Sequence, residues 1–215
     1  NEYLDTPFSP RRLELYDVLP QSKNVILING AGIAPAPTSV TTQVIHPAPD
    51  LAGLQMNATK AMGVSRNGPA VTQYCRAFLM IDQQALLVID PLHLSHEGRV
   101  ESRLHTPMTP SIDSSIARLT GKRQQGQILF ACSQPAKLWQ AVALSTTPKD
   151  DQDHVLRWIT QELHEHVAMA ALILPDHQPA SITLQADENT VTVNVTLAGK
   201  TRQWSFTPDL SRVIA

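Results

Sequence analysis

Eight histidines are the main stock of reactive side chains in this sequence. Two pairs of them have spacings that suit a shared metal ion such as zinc. His93 and His96 follow Asp90-Pro91, which reads as a turn, and His164 and His166 flank Glu165. Imidazoles three apart in a loop, or two apart on one strand face, can converge on one cation. Neither pair has a CxxC motif or a third ligand near it in sequence, so loop and turn histidines facing solvent are the expected state. Cys75 and Cys132 are too far apart in sequence for a zinc knuckle or a redox CxxC pair. They could close one disulfide; two buried free thiols are the expectation.

Other chemistry is thinly represented. There is no GxxxxGK[ST] loop, no GxGxxG, no HExxH and no GxSxG. Gly30-Ala-Gly32 follows an apolar run but lacks the third glycine and the helix that a phosphate loop needs. Ser114 and Ser115 have no nucleophile-elbow context. Arg11 and Arg12 with Asp17, or Lys122 with Arg123, could contact an anion, although such pairs are more often solvated faces. Trp139, Trp158 and Trp204 could form a sugar-stacking platform, but three tryptophans on three separate strands read first as core. Asn57-Ala-Thr59 and Asn194-Val-Thr196 fit the glycosylation pattern.

The elements that must position these residues read as strands. Sixteen prolines against nine glycines, with short apolar runs between breakers, give an all-β pattern. Asn24 to Asn29 is a buried strand closed by Gly30, and Ala34 to Pro37 is a stiff loop. Val40 to Ile45, Ala70 to Ile81, Ala85 to Ile89 and Arg99 to His105 follow, with Asp82-Gln-Gln84 as a hairpin turn. Gln127 to Cys132 and Leu138 to Leu144 are two more. Ser181 to Ala186, Thr190 to Leu197 and Arg202 to Phe206 form a closing meander. Val191, Val193 and Val195 alternate there with polar residues, as in a half-buried antiparallel strand. Asp153 to Leu174 admits two readings. Leu156, Ile159, Leu163, Val167, Ala170 and Leu174 recur at helical spacing between Asp153 and Pro175. The other reading is two strands, Val155 to Gln161 and Val167 to Leu174, joined at His164-Glu165. The whole pattern predicts a large two-sheet antiparallel β-sandwich, one domain over 1–215.

Composition excludes several classes. Lys plus Arg number 17 and Asp plus Glu 19, a net charge of −2, which lacks the basic excess of a nucleic-acid binder. The longest apolar run, Val167 to Pro175, is about half the roughly 18 residues of a membrane-spanning helix. With 42% hydrophobic residues the chain can bury a sizeable core rather than stay disordered. It opens on Asn1 without a basic-then-apolar leader, and reads as a piece of a longer protein or a processed chain.

A set of ordered motifs then resembles one family. Ser22-Lys-Asn-Val-Ile-Leu-Ile-Asn-Gly30 is similar to the S-x-H-N-T-hydrophobic-hydrophobic-D-G segment of heparinase II/III-like polysaccharide lyases. Asn57-Ala-Thr59 resembles their D-A-T stretch. Arg76 to Asp82 with Leu87 to Pro91 resembles their R-x-hydrophobic and V-V-x-D hairpin, and Glu101 to His105 their E-x-x-x-H strand. Ala171 to Pro175 resembles a late strand ending in proline. Order and spacing agree over residues 14–206. In such lyases an N-terminal α/α toroid carries most of the cleft, and a C-terminal β-sandwich closes over it, lending a histidine and in some members a zinc site. The reaction is β-elimination on an acidic polysaccharide: a base takes the proton beside a uronate carboxylate, and an acid protonates the leaving oxygen.

The resemblance implies strands over 153–174. It points to Asn24 and His105 as matching the family's pattern. It also exposes departures: the family's histidine falls on Lys23 and the aspartate of D-A-T on Asn57. A lysine serves as a base only when buried, and a histidine on a strand face more often makes one structural hydrogen bond. The expected function is an accessory sandwich of such a lyase, inactive alone, located in the periplasm or outside the cell. The rival reading is a stand-alone carbohydrate-binding or interaction module. A third is a metal-dependent enzyme built on His93, His96, His105, His164 or His166, which would carry zinc. A face left open by a missing partner domain should expose apolar surface and favour a homodimer.

Overall fold

The computed structural model describes residues 19–32, 39–62, 68–143 and 153–214. The Ala34 to Pro37 loop, Leu144, and the Arg11, Arg12 and Asp17 group lie outside them. Sixteen strands run in order: β1 Ile26–Ile28, β2 Thr41–Ala48, β3 Leu51–Asn57, β4 Val71–Ile81, β5 Ala85–Gly98, β6 Val100–Thr106, β7 Thr109–Asp113 and β8 Ile116–Thr120; then β9 Gln125–Cys132, β10 Ala136–Val142, β11 His154–Thr160, β12 His164–Leu174, β13 Ala180–Ala186, β14 Val191–Leu197, β15 Lys200–Phe206 and β16 Val213–Ile214. The only helical pieces among the described residues are the single turns Pro20–Ser22 and Thr59–Met62. None is long and apolar enough to cross a membrane.

The all-β antiparallel sandwich is as expected, with three sheets in place of two. A central sheet has the order β2-β3-β4-β5-β12-β9-β8-β7. One flanking sheet is β1-β6-β11-β10 and the other is β13-β14-β15-β16. Along β12, Ala168, Ala170, Leu172 and Leu174 join the core shared with Val193, Val195, Trp204 and Phe206 of the second flanking sheet. Val167, Met169 and Ala171 between them join the core shared with Ile26, Val100, Leu156 and Trp158 of the first. A strand covered on both faces favours apolar residues at successive positions, which is why 77–81 of β4, 85–89 of β5 and 167–174 of β12 read as continuous apolar runs. The same continuity produced the helical spacing over 153–174, since an apolar run fits any period. The segment is strand: β11 pairs with β6 on one side and β10 on the other. Its link to β12 lies at 161–163, before His164-Glu165.

The Asp90-Pro91 turn is not there; β5 runs straight through both residues to Gly98. Pro91 faces Ala168 in the register. Ala168 directs both backbone groups at Ser133, accepting from its amide and donating to its hydroxyl, each at 2.9 Å. Pro91 therefore owes Ala168 no hydrogen bond; its nitrogen faces β4, where the ladder pauses between Tyr74↔Leu92 and Ala77↔Ile89, so a proline fits inside the sheet. His93 and His96 consequently sit on a strand and not in a loop. Gly30 is the second residue of a tight hairpin: Asn29 and Gly30 both have positive φ, 50° and 79°, and Ile28 and Ala31 close two hydrogen bonds across them. This is a primed turn, which uses Asn-Gly for its left-handed backbone and not for phosphate.

Both cysteines are free. Cys75 points into the core under the second flanking sheet and Cys132 packs against the other one. Strands β5 and β12 stand between them, about 14 Å at the usual strand spacing. A disulfide needs its Cα atoms within about 7 Å.

Candidate functional site

The motif residues gather where the chain enters β1. The Pro20–Ser22 turn leads residues 23–25 along the end of β6 and within reach of Arg76 on β4. Asn24 ties these parts together. Its side-chain Oδ1 accepts from the His105 amide at 2.7 Å, and its backbone carbonyl accepts from Arg76 Nη1 at 2.7 Å. Arg76 in turn grips Asp90 through Nε at 2.6 Å and Nη2 at 3.0 Å, and Tyr74 donates its hydroxyl to the same carboxylate at 2.9 Å. The arginine and aspartate side chains are 7% and 3% exposed, a buried bidentate pair. Burial works against the Arg76 charge, but Asp90 outweighs it and holds the guanidinium firmly protonated. Burial, then Asp90, pushes the Tyr74 phenol well above its ordinary value.

Beside this pair lies a second network on the outer face of β6 and β11. Glu101 accepts from Arg157 through Nε at 2.7 Å and Nη2 at 2.9 Å, and also from Arg103 Nε. Burial alone would raise the Glu101 carboxyl, yet the hydrogen bonds from Arg157 and Arg103 hold it below the ordinary carboxylate value. Arg103 also donates to the Gln21 carbonyl at 2.9 Å. In the register Arg103 faces Arg157, and Arg157 faces Trp139 on β10. Trp139 is 50% exposed, and Lys137 Nζ lies 4.3 Å from its ring centroid. Three cations and an indole thus share one face, balanced in part by one carboxylate. Trp158 and Trp204 are buried, Trp158 stacked on Phe130 with centroids 5.7 Å apart.

His105 stands at the rim of this face, half-buried. Its Nε2 lies 3.3 Å from the Gln21 carbonyl. A carbonyl only accepts, so this bond fixes the proton on Nε2 and leaves Nδ1 as the basic nitrogen. Burial lowers the imidazole below its ordinary value; the Gln21 bond opposes this and the Arg103 charge reinforces it. The neutral ring is the form a general base requires. Lys23, next to Asn24, is exposed, without the burial that a lysine base calls for.

The metal that the motifs imply does not fit its family position. Lys23 offers an ammonium where a ligand imidazole would stand. Asn57 offers an amide, whose Oδ1 already accepts from the Thr59 amide at 3.1 Å. Among the described residues no three or more His, Cys, Asp and Glu side chains gather as a metal group. His93 and His96 stand three apart on β5, so their side chains leave on opposite faces of the sheet. His96 turns to Ser95 Oγ at 3.1 Å. His93 meets His166 across the β5–β12 ladder, their ring centroids 4.5 Å apart and the planes at 82°. His164 Nε2 and His166 Nδ1 are buried with no hydrogen-bond partner. Of the remaining candidates, Ser114 and Ser115 form the β7–β8 turn, and Lys122 and Arg123 lie in the exposed β8–β9 loop.

The Arg76–Asp90 pair was within reach of sequence reading. Arg76 and Asp90 are lone charges inside long apolar runs, a position that demands a partner. Arg157 gave no such signal; only its register beside Arg103 brings it to the site.

No protein family profile and no curated protein matches the sequence. Solved structures do. The chain superposes on heparinase III with a TM-score of 0.65 at 12% identity, covering 86% of this chain and 29% of that one. It superposes on the heparan sulfate lyase HepC from Pedobacter heparinus with a TM-score of 0.59 at 11% identity, covering 86% of this chain and 30% of that one. At these identities the likeness establishes a shared fold, and the chain spans under a third of the length of those proteins. They are the kind of protein its motifs resemble.

Proposed function

We propose that this chain is the sandwich part of a longer lyase that cleaves an acidic polysaccharide by β-elimination, and that it binds the glycan without cleaving it alone. The observation that carries the reading is the coincidence of the two signals: the motif residues Asn24, Arg76, Asp90, Glu101 and His105 converge on one site, in a fold shared with heparinase III. The chemistry of the face agrees. Arg103 and Arg157 suit sulfate or carboxylate groups through paired N–H donors. Trp139 offers a flat apolar surface for a sugar ring. His105, with Nδ1 basic, can take or deliver a proton at the edge of that face, while Asn24 fixes the strand that carries it.

The rest of the protein would supply the other half of the cleft. Val44, Leu54 and Met80 are 71%, 38% and 41% exposed on the part of the central sheet that the first flanking sheet leaves uncovered. An α/α toroid seated there would bury this strip, and in its absence a second copy would, giving a homodimer. A periplasmic or extracellular location belongs to the same proposal, since that is where such glycans are met.

A second reading is a binding module without catalysis, favoured by the exposed Trp139. Calorimetry with heparan sulfate oligosaccharides tests what both share. The expected result is saturable binding that weakens with salt and is lost in Arg157→Ala with Trp139→Ala. Unchanged binding in that double variant would remove the face from the account.

A further inference from the structure

We propose that His93 and His166 form a two-imidazole site for a divalent transition-metal ion, separate from the glycan-binding face. The two side chains come from strands that are neighbours in space but far apart in sequence, and they face each other directly in the ladder. Their ring centroids are 4.5 Å apart at 82°. Two imidazoles this close cannot both be protonated without strong repulsion. Burial, with the neighbouring His166 adding to it, lowers the His93 imidazole, while Glu188 on the β13–β14 turn opposes that shift. Neutral imidazole is the ligand form. His166 Nδ1 is buried with no hydrogen-bond partner, so a nitrogen lone pair or N–H goes unused inside the fold. An unpaired buried polar group is costly, and a bound cation would satisfy it.

A groove lies one cross-strand neighbour away from the pair and is lined by neither histidine. Gln73 precedes His93 in the same cross-strand row and lines that groove of about 950 Å³ with Asn57, Thr72 and Arg212. The pair lies on the face of the central sheet turned to the second flanking sheet, opposite to Asn24 and His105. No third side chain completes the set among the described residues, so water or a small anion fills the remaining positions. Such a donor set selects imidazole-seeking ions, Zn²⁺, Ni²⁺ or Cu²⁺, over the oxygen-seeking Mg²⁺ and Ca²⁺.

Titration calorimetry of the 215-residue chain with Zn²⁺ and with Ni²⁺ tests this. One ion per chain is expected, with no heat from Mg²⁺. His93→Asn and His166→Asn should each weaken binding by about 100-fold or more, the upper end of what even indirect ligand support is worth. His96→Asn and His164→Asn should leave it unchanged. Circular dichroism and the melting temperature of each variant separate a lost ligand from a lost fold. Addition of Zn²⁺ should raise the melting temperature of the parent chain and not that of His166→Asn. Absence of saturable binding, or binding that follows His96 or His164 instead, would overturn the proposal. Since none of these readouts depends on glycan cleavage, failure here leaves the lyase reading standing, and the reverse.

Discussion

At the scale of single residues, the site is held by charges that the fold has taken out of water. Asp90 lies under Arg76 and Tyr74, and removing its charge leaves a guanidinium buried without a partner. Asp90→Asn is therefore expected to cost about 3–5 kcal/mol in a chemical denaturation experiment. The double change Arg76→Met with Asp90→Leu should cost less than Asp90→Asn alone, and a larger cost would mean the pair is not isolated in this way. Acid should act in two stages. His93 and His105 have imidazoles lowered from the ordinary 6.5, so the unfolded chain takes up protons first. Their stabilisation is complete above that value and declines as pH falls below it. Glu101 has a carboxyl lowered from 4.5, so its contribution is present above that value and is lost as pH falls further. Melting temperature against pH should show both limbs, with the lower one reduced in Glu101→Gln. A curve that stays flat from neutral down to the carboxylate range contradicts this. Sequence made much of this legible. Asn24 and His105 each belong to a motif, although only the structure joins them through the His105 amide, and Arg76 and Asp90 announce themselves as charges in apolar runs. That His93 faces His166 was not legible, because spacing along one strand says nothing of what the next strand brings opposite.

At the scale of elements, the central strands decide where the site can be. β4 and β5 carry the buried pair, β6 carries Glu101, Arg103 and His105, and β11 adds Arg157. Gly53 on β3 lets that ladder close: a Cβ there would stand 1.8 Å from the Phe78 carbonyl oxygen and 3.0 Å from Leu79 Cα. Backbone atoms in a central strand cannot step aside. Gly53→Ala is expected to cost about 1–3 kcal/mol, the usual range for overpacking, and to lower hydrogen-exchange protection in β2 and β3 first. An unchanged melting temperature would show that β3 is free to shift. Strands rich in Val, Ile and Leu were legible from composition, as was the turn at Asp82-Gln83. β3, β7 and β8 were not. β3, one strand in from the edge, contains Gly53, Gln55 and Asn57, and β7, at the other edge, carries Pro110, so neither shows the alternation by which a half-buried strand is recognised. The length of β5 was hidden by Asp90-Pro91, whose turn signal is overridden by the ion pair and by Ser133 taking up the backbone of Ala168.

At the scale of the whole molecule, three stacked layers turn a linear set of motifs into one face and leave an apolar strip open beside it. The all-β class was readable because breakers divide short apolar runs. The third layer was signalled only by the apolar run 167–174, which marks a strand covered on both faces but equally fits a helical period, so it does not by itself announce a further sheet. Shared fold with heparinase III over 86% of this chain, but only 29% of that one, fits a part that works with a larger whole. The most direct measurement is ultraviolet absorbance of the unsaturated uronate formed by β-elimination, followed with heparan sulfate as substrate. It is made on the longer protein, on its His105→Ala variant and on this chain alone. The account predicts steady formation of the chromophore by the longer protein, a loss of about 10²- to 10⁴-fold in kcat for His105→Ala with KM little changed, and binding without chromophore for this chain. Chromophore formed by this chain alone, or a longer protein indifferent to His105, would contradict it.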